Sequence, residues 1–155
     1  MVLKTIQFIQ VLLLCIIAGQ AFFYLIGGTA GVRYVSVHAF IEQRKAIDIA
    51  IGPNLKILYP MCALSGIAVL ILLRQQIHTL TFCLSAAALL LVLIDMVIAV
   101  KGNVPINQQM MGWTATVHPA DWATVRDQWL AYMHWRQGCS ITALLCLLVS
   151  LFSRL

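Results

Sequence analysis

The chain has 155 residues, of which 62% are hydrophobic and only 10% charged, and its formal net charge is +5 at pH 7. Soluble domains carry about 25% charged residues, so this composition excludes an ordinary soluble protein and indicates a lipid environment. Apart from the pair Arg44-Lys45, the basic residues are scattered singly. The positive charge therefore does not predict nucleic-acid binding, and basic residues that flank membrane spans are the simpler interpretation.

Four predominantly apolar stretches of the chain lack Asp, Glu, Lys and Arg: residues 5–32, 57–73, 75–94 and 137–153. Each is close to the ~20 apolar residues that cross ~30 Å of hydrocarbon as a helix, and none alternates as a barrel strand does. We predict an all-α integral membrane four-helix bundle, formed as a single domain by residues 1–155. The predicted spans are residues 6–28, 55–73, 79–100 and 136–153. The first stretch continues through Ile26, too far for a secretory signal, so we expect it to be retained.

The connections between the predicted spans differ in length. Spans two and three meet in a tight turn at residues 74–78, whereas two long interfacial segments join spans one and two and spans three and four. Both long segments therefore lie on one side of the membrane. That side holds seven Lys or Arg residues, against Lys4, Arg74 and Arg154 on the other, so the positive-inside rule places it in the cytoplasm. We expect the membrane to be the bacterial inner membrane.

The five cysteines all lie within the predicted spans, and none forms a Cys-x-x-Cys pair. Cysteines in such positions behave as small apolar residues, which argues against a disulfide framework and against a thiol–disulfide oxidoreductase. The first span also lacks the acidic residue with which a small four-helix drug exporter would bind cations. The sequence therefore disfavours both function classes.

The first long segment has the pattern of a helix. Apolar residues recur at three-to-four spacing over residues 34–51, and Gly52-Pro53 is expected to end the helix. We expect this helix to lie at the membrane interface or to extend the first span. His38 and Glu42 are four positions apart on it and can touch. They form either a proton-handling pair, since imidazole titrates near neutrality, or a solvated surface pair.

The third predicted span ends in the motif Asn103-Val104-Pro105-Ile106-Asn107, and Asp95 interrupts it two turns earlier. Pro105 lacks an amide hydrogen and disfavours helical geometry before it, so we expect the chain to turn here. The asparagine amides either satisfy irregular backbone at the bilayer edge or bind a substrate oxygen, as oxyanion donors do. Asp95 either pairs with Lys101 or a basic residue of another span, or accepts a proton at a cavity floor.

The motif His118-Pro119-Ala120-Asp121 predicts a helix start, with its proline at the first helical position. On the helix that follows, Trp122, Trp129 and Arg136 recur every seven residues, which places them on one face. Tryptophans near a membrane boundary are commonly belt anchors. The alternative is a flat aromatic wall for a planar substrate, with Arg126 or Arg136 holding an anionic oxygen.

The order of these motifs resembles one protein family. Asn-x-Pro-x-Asn after the third span, Trp113, Asp121-Trp122, Arg126-x-x-Trp129 and Arg136 are similar to the anthrone oxygenase-like family of small four-span membrane proteins, long known as a domain of unknown function. Fungal members are implicated in oxidising anthrones to anthraquinones with O₂ and without metal or flavin. The resemblance implies a cofactor-independent oxygenase that acts on a planar phenolic or anthrone-type substrate.

Matched residue by residue, the resemblance implies a substrate site formed by Asn103, Asn107, Trp113, Trp122, Arg126, Trp129 and Arg136. An anthrone has an acidic methylene, and removal of one proton gives an electron-rich enolate that reacts with O₂. The protein then needs a base, an oxyanion partner and a dry pocket. The candidate catalytic residues are His118, His38 and Asp95, with His134 as a further candidate base. The expected partners are membrane lipid and a small hydrophobic aromatic substrate, and no metal or other cofactor is expected.

Two alternatives remain open. A haem or metal could bind among His38, His118 and His134, although they show no His-x-x-x-His or His-x-x-Glu spacing. A non-catalytic accessory or scaffold subunit could dock a partner on the Trp-rich segment, and Gly27-x-x-x-Gly31 would allow close helix approach in a homo-oligomer. An enzyme should show a cavity walled by the tryptophans, with Asn and Arg side chains converging on it, whereas a scaffold should pack or expose them.

Overall fold

The computed structural model describes residues 1–153, and its regular structure over that range is helical. Its α-helices are α1 (Val2–Phe23), α2 (Thr29–Tyr34), α3 (Val37–Leu72), α4 (Leu80–Ile98), α5 (Val104–Met111) and α6 (Trp122–Phe152). Two five-residue π-helical segments connect these helices: a first π turn (Tyr24–Gly28) joins α1 to α2 across a kink at Gly27, and a second π turn (Ala99–Asn103) joins α4 to α5 without a break. Arg154, one of the basic residues used to orient the chain, lies outside the described residues.

Four helical segments of the described chain are long and apolar enough to cross a membrane: Val2–Tyr34, Val37–Leu72, Leu80–Met111 and Trp122–Phe152. Each corresponds to one of the predicted spans, which confirms the all-α four-helix membrane bundle. The third segment has 32 residues. At 1.5 Å per residue it is about 48 Å long, against ~30 Å of hydrocarbon, so part of it extends beyond the apolar layer.

The four long segments pack in a ring. α1 packs against α3 and α6, and α4 packs against the same two helices. Each helix contributes to a shared apolar core through side chains such as Leu14, Cys62, Ala88 and Ala143. A second core lies toward the end of the bundle that carries the long connections and includes Tyr24, Phe40, Ile106, Met110, Trp113, Trp129 and Leu130.

Large apolar side chains also cover the outside of the bundle. Ile16 of α1, Leu64 of α3, Leu90 of α4 and Leu145 of α6 are each more than half exposed. In water such a surface would cause aggregation, but hydrocarbon chains solvate it. The protein is therefore a multi-pass membrane protein whose outer surface contacts lipid.

The predicted helix end at Gly52-Pro53 is wrong. α3 continues through Pro53 and Pro60, so the segment before Gly52 extends the second span, not the first, and is not a separate interfacial helix. Each proline lacks an N–H, which removes the intrahelical donor to the carbonyls of Ile49 and Lys56. Proline is tolerated inside membrane helices when the surroundings satisfy the freed groups, and α3 is packed between α1 and α4.

The predicted turn at residues 103–107 is also wrong. The second π turn ends at Asn103, and α5 begins at Val104 with Pro105 in its first turn. Proline is tolerated there because amide hydrogens of a first helical turn have no partner within their own helix. Val104 keeps helical angles, φ −61° and ψ −47°, although it precedes a proline. The chain is still irregular here, because the residues before Val104, Ala99–Asn103, form the wider turn of a π-helix.

α6 begins at Trp122, three residues later than the start predicted at Pro119. Asp121 occupies the N-cap position, but its side chain makes no capping hydrogen bond. The residues before it form a loop in which the amide of Thr114 donates to the carbonyl of Val117 over 2.8 Å. The second long connection is therefore shorter than predicted, because its first part, Val104–Met111, is the helix α5.

The tight turn between the second and third spans is confirmed. α3 ends at Leu72 and α4 begins at Leu80. Thr79 caps the new helix, since its hydroxyl accepts the amide hydrogen of Phe82 over 3.3 Å. A side-chain oxygen in this position satisfies one of the unpaired amides at a helix start.

We expect Gly102→Ala to destabilise the bundle, because a Cβ at Gly102 would lie 2.5 Å from two carbons of the Tyr132 ring. Overpacking of this kind costs about 1–3 kcal/mol and should lower the thermal unfolding temperature in detergent. Gly138→Ala is the matched control, since no neighbouring atom within residues 1–153 lies within 4 Å of its added Cβ. Alanine is the better helix former, so the control should be neutral or stabilising. Equal destabilisation of both variants would contradict this packing.

Candidate functional site

A buried ion pair joins the third and fourth spans. Asp95 of α4 is 1% exposed, Arg136 of α6 is 8% exposed, and Arg136 Nε donates to Asp95 Oδ1 over 2.6 Å. Tyr59 of α3 completes a triangle, because its hydroxyl donates to Asp95 Oδ2 over 2.7 Å and accepts from Arg136 Nη2 over 2.8 Å. Three helices thus converge on one group of side chains, called the polar cluster below.

The polar cluster has no net charge when Asp95 and Arg136 are both ionised. A lone carboxylate inside a membrane protein is expensive and usually has a partner. Here each oxygen of Asp95 accepts a hydrogen bond, one from Arg136 and one from Tyr59. Of the two structural partners predicted for Asp95, the basic residue of another span is the one that contacts it, while Lys101 is exposed.

Asn103 connects the polar cluster to the aromatic part of α6. It is 2% exposed, its Oδ1 accepts from Arg136 Nη1 over 3.4 Å, and its Nδ2 donates to the carbonyl of Trp129 over 3.1 Å. Asn103 is the last residue of the second π turn, and its side chain reaches from there to α6. The amide therefore supports the fold and lies beside the guanidinium group at the same time.

Asn107 belongs to a second chain of hydrogen bonds, one turn further along. Its Oδ1 accepts from Trp129 Nε1 over 2.8 Å, and its Nδ2 donates to Asp48 Oδ1 over 2.7 Å. Arg44 of α3 covers the other side of this chain, with its guanidinium carbon 4.2 Å from the centre of the Trp129 ring. Side chains of α3, α5 and α6 are thereby tied together above the polar cluster.

A cavity of about 540 Å³ opens between α3 and the continuous rod formed by α4, the second π turn and α5. Three residues predicted for the substrate site line it, namely Asn103, Asn107 and Arg136. Other polar lining residues are Asp48, Lys56, Tyr59 and Gln108, and apolar ones are Ile49, Pro53, Leu55, Pro60, Met96, Ala99, Val100 and Val104. Asp95 does not line the cavity but contacts Tyr59 and Arg136, which do.

The tryptophans predicted to form an aromatic wall do not line this cavity. Trp113 is 6% exposed and Trp129 is 2% exposed, and both pack inside the second core, with the partly buried Trp122 packed against that core. The site thus combines a feature expected of an enzyme with a feature expected of a scaffold. The asparagines and Arg136 converge on a cavity, as expected for an enzyme, whereas the tryptophans are packed, as expected for a scaffold.

Arg126 and the histidines lie apart from the cavity. Arg126 donates to the carboxylate of Asp127 over 3.0 Å and lies over the Trp122 ring at 5.1 Å. His38 is exposed and pairs with Glu42 at 3.3 Å, which matches a solvated surface pair. His118 Nδ1 lies 3.2 Å from a loop carbonyl. Neither histidine lines the cavity, and their catalytic roles stay predictions.

The part of the chain that the structure describes contains no group of three or more His, Cys, Asp or Glu side chains suited to hold a metal ion. His134 is also separate from the other two histidines in its contacts, because its Nδ1 lies 3.0 Å from Gln137 Oε1. The geometry thus offers no support for the haem or metal alternative.

Sequence reasoning missed Tyr59 and Asp48, although a signal was present. The two residues are eleven positions apart, which is about three helical turns and places them on one face. The assumed helix end at Gly52-Pro53 interrupted this register. A prediction of a single helix through Pro53 would have placed the hydroxyl of Tyr59 and the carboxylate of Asp48 on the same face of that helix.

We expect the Asp95–Arg136 pair to show strong energetic coupling in a double-mutant cycle. Asp95→Leu or Arg136→Met alone leaves a buried charge without its partner and should cost about 3–5 kcal/mol, whereas the double variant leaves no charge and should lose less than the sum. Unfolding free energies measured in detergent micelles check this. The exposed pair His38 and Glu42 is the control, with a coupling of about 0–1 kcal/mol. Strictly additive losses at Asp95 and Arg136 would contradict the coupling.

A family model described as anthrone oxygenase matches residues 53–146. A search of curated proteins and a search of solved structures each found no match. The matched range contains the polar cluster of Tyr59, Asp95 and Arg136, both asparagines of the cavity, and more than half of the 155 residues. The chain therefore belongs to the anthrone oxygenase family.

Proposed function

We propose that the protein oxidises a planar phenolic or anthrone-type substrate with O₂ inside the cavity, as a cofactor-independent monooxygenase. The observation that carries the proposal is that Tyr59 and Arg136, both bonded to Asp95, lie at the wall of a cavity of about 540 Å³ whose remaining lining is largely apolar. Proton removal from a carbon acid needs a proton acceptor, a cation for the anion that forms, and little water. Membership of the anthrone oxygenase family supports the same chemistry.

The size and lining of the cavity suit a flat and mostly apolar molecule. Pockets for drug-sized ligands measure about 300–1,000 Å³, and this cavity lies within that range. Ile49, Val100 and Val104 line it and are also exposed on the outside of the bundle, by 64%, 60% and 40%. We therefore infer that the substrate enters from the lipid phase, between α3 and the third membrane-crossing segment.

In this proposal the proton passes through Tyr59 to Asp95. The substrate C–H bond breaks as its proton moves to Tyr59 Oη, while the phenolic proton moves to Asp95 Oδ2, 2.7 Å away. The substrate becomes an enolate and Asp95 becomes neutral. Arg136 exchanges one anionic partner for another, so the net charge of the buried site does not change. The step thus avoids the cost of creating an unpaired charge in a medium of low dielectric constant.

Oxygen then reacts with the enolate directly. The enolate carbon gives two electrons to O₂ and forms a C–O bond, and the proton held by Asp95 returns through Tyr59 to the terminal oxygen, which gives a hydroperoxide. Loss of the second hydrogen from the same carbon, with cleavage of the O–O bond, leaves a ketone and releases water. One O₂ is consumed per substrate, and its two atoms end in the product and in water.

The remaining predicted site residues have supporting roles in this proposal. Trp129 holds Asn107 at the cavity wall through a hydrogen bond of 2.8 Å. Trp113 and Trp122 stabilise the second core, and Arg126 ties the start of α6 to α2, because its Nη1 donates to the carbonyl of Arg33 over 3.3 Å. We further propose that the protein acts in a bacterial inner membrane, with lipid and the aromatic substrate as its partners. Formation of a homo-oligomer is not required, because one chain supplies every residue of the site.

We expect Tyr59→Phe to lower O₂ uptake with anthrone as substrate by about 10²–10⁴-fold, the usual loss when a proton-transfer group is removed. The measurement is O₂ consumption and anthraquinone formation by protein in lipid nanodiscs. Tyr34→Phe is the matched control, because the same atom is removed from a side chain that is 89% exposed. Wild-type rates in Tyr59→Phe would show that the proton route is wrong. Wild-type protein that neither binds anthrone nor takes up O₂ would favour the accessory-subunit alternative.

We expect His38→Ala and His118→Ala to retain activity within about twofold, because neither side chain lines the cavity and loss of a true base would cost far more. Steady-state O₂ uptake in the same nanodiscs tests both variants. A loss as large as that of Tyr59→Phe in either variant would transfer the role of base to that histidine.

A further inference from the structure

A second, much smaller cleft reaches the polar cluster from the opposite side. It lies between α1 and α6, and both Asp95 and Tyr59 line it. The other lining residues are Ile17, Gln20, Ala21, Met133, Arg136, Gln137 and Ser140. Its free volume is about 10 Å³, which is close to the space that one water molecule needs. Asp95 is thus flanked by the large cavity, through Tyr59, and by a cleft of the size of a water molecule.

Gln137 makes this cleft unusual. It is 4% exposed, and one end of its amide is used, because Oε1 lies 3.0 Å from His134 Nδ1. Its Nε2 is buried and has no hydrogen-bond partner within residues 1–153. An unpaired buried amide is costly, and a bound water molecule is the usual way in which such a group is satisfied.

The cleft lies at a depth that solvent protons can reach. The apolar part of α6 begins after Gln137 and ends at Phe152, about 22 Å at 1.5 Å per residue. That length is about 8 Å less than the thickness of the hydrocarbon layer, ~30 Å, so Gln137 lies close to its boundary on the side of the long connections. His134, one turn earlier on α6, is exposed. A water molecule beside Gln137 can therefore exchange protons with the aqueous phase.

We propose that this cleft binds a water molecule, positioned by Gln137, through which Asp95 exchanges protons with solvent. The inference rests on the proposed function, because Asp95 must first receive the substrate proton. It adds a second activity to the same site. Without O₂ the enolate can only take a proton back, so the protein catalyses exchange of the acidic substrate hydrogen with solvent. The C–H bond breaks, a C–D bond forms from D₂O, and no electrons are transferred.

The test is hydrogen–deuterium exchange at the methylene of anthrone in D₂O without O₂, followed by mass spectrometry. We expect Gln137→Leu to slow the protein-catalysed exchange by at least about tenfold, as for removal of a proton-transfer element. Its O₂ uptake should stay within about twofold of wild type, because the proton can return from Asp95 through Tyr59 without entering solvent. Gln137→Asn, which keeps the amide, should recover most of the exchange.

Gln7→Leu is the matched control, because Gln7 of α1 is also buried, at 5% exposure, but does not line the cleft. Exchange and uptake that fall together in Gln137→Leu, or exchange that stays at the wild-type rate, would overturn the inference and leave the proposed function intact. Wild-type protein with neither exchange nor uptake would overturn the proposed function, and this inference with it.

Discussion

Asp95 and Arg136 can remain charged inside the bundle only while they stay in contact. The requirement sets the position of α6 along α4, since a shift of one residue would separate a guanidinium from a carboxylate now 2.6 Å away. Tyr59 extends the constraint to α3, because its hydroxyl contacts both charged groups. Apolar contacts between membrane helices are weakly directional, and lipid tails compete for them. The polar cluster therefore fixes the axial register of the three helices, which their apolar contacts alone do not.

The cavity forms where α3 and the rod of α4, the second π turn and α5 both have irregular helical geometry. α3 carries Pro53 and Pro60 on the cavity side, and the opposite wall is widened by the second π turn. A π turn places an extra residue in the helix and changes the direction of the side chains that follow. Asn103 thereby faces Arg136, and Asn107, one turn later, faces Trp129 and Asp48. The prolines of α3 and the second π turn therefore account for both the cavity and the positions of the polar side chains that line it.

The fold could be predicted from hydropathy, because four long uncharged stretches leave few other ways to satisfy a backbone in lipid. Part of the cavity lining could be predicted as well, namely Asn103, Asn107 and Arg136. The other cavity residues were missed because prolines were expected to end helices. In water Pro53 is a strong reason to end a helix, but α3 continues through it, and Pro105 is tolerated in the first turn of α5. The wrong helix end at Gly52-Pro53 separated Asp48 from Tyr59, which lie on one face only because α3 is unbroken.

Placement of the tryptophans was harder to predict for a different reason. Their seven-residue spacing correctly places Trp122, Trp129 and Arg136 along one stripe of α6, but a stripe does not reveal what covers it. The structure shows that α3 and α5 cover the aromatic part through Phe40, Arg44 and Met110. Only Arg136 emerges from the stripe at the cavity.

The prolines of α3 also bear on how the molecule moves. Ile49, Pro53, Lys56 and Pro60 all line the cavity, and the two backbone hydrogen bonds that would cross this face of the helix are missing because proline has no N–H. Bending α3 outward at these two positions therefore breaks no further helical hydrogen bond. The wall beside the lipid can therefore bend most easily at Pro53, whereas Tyr59, held by two charged partners, stays in place. A guest molecule can widen its own entrance without disturbing the groups that would act on it.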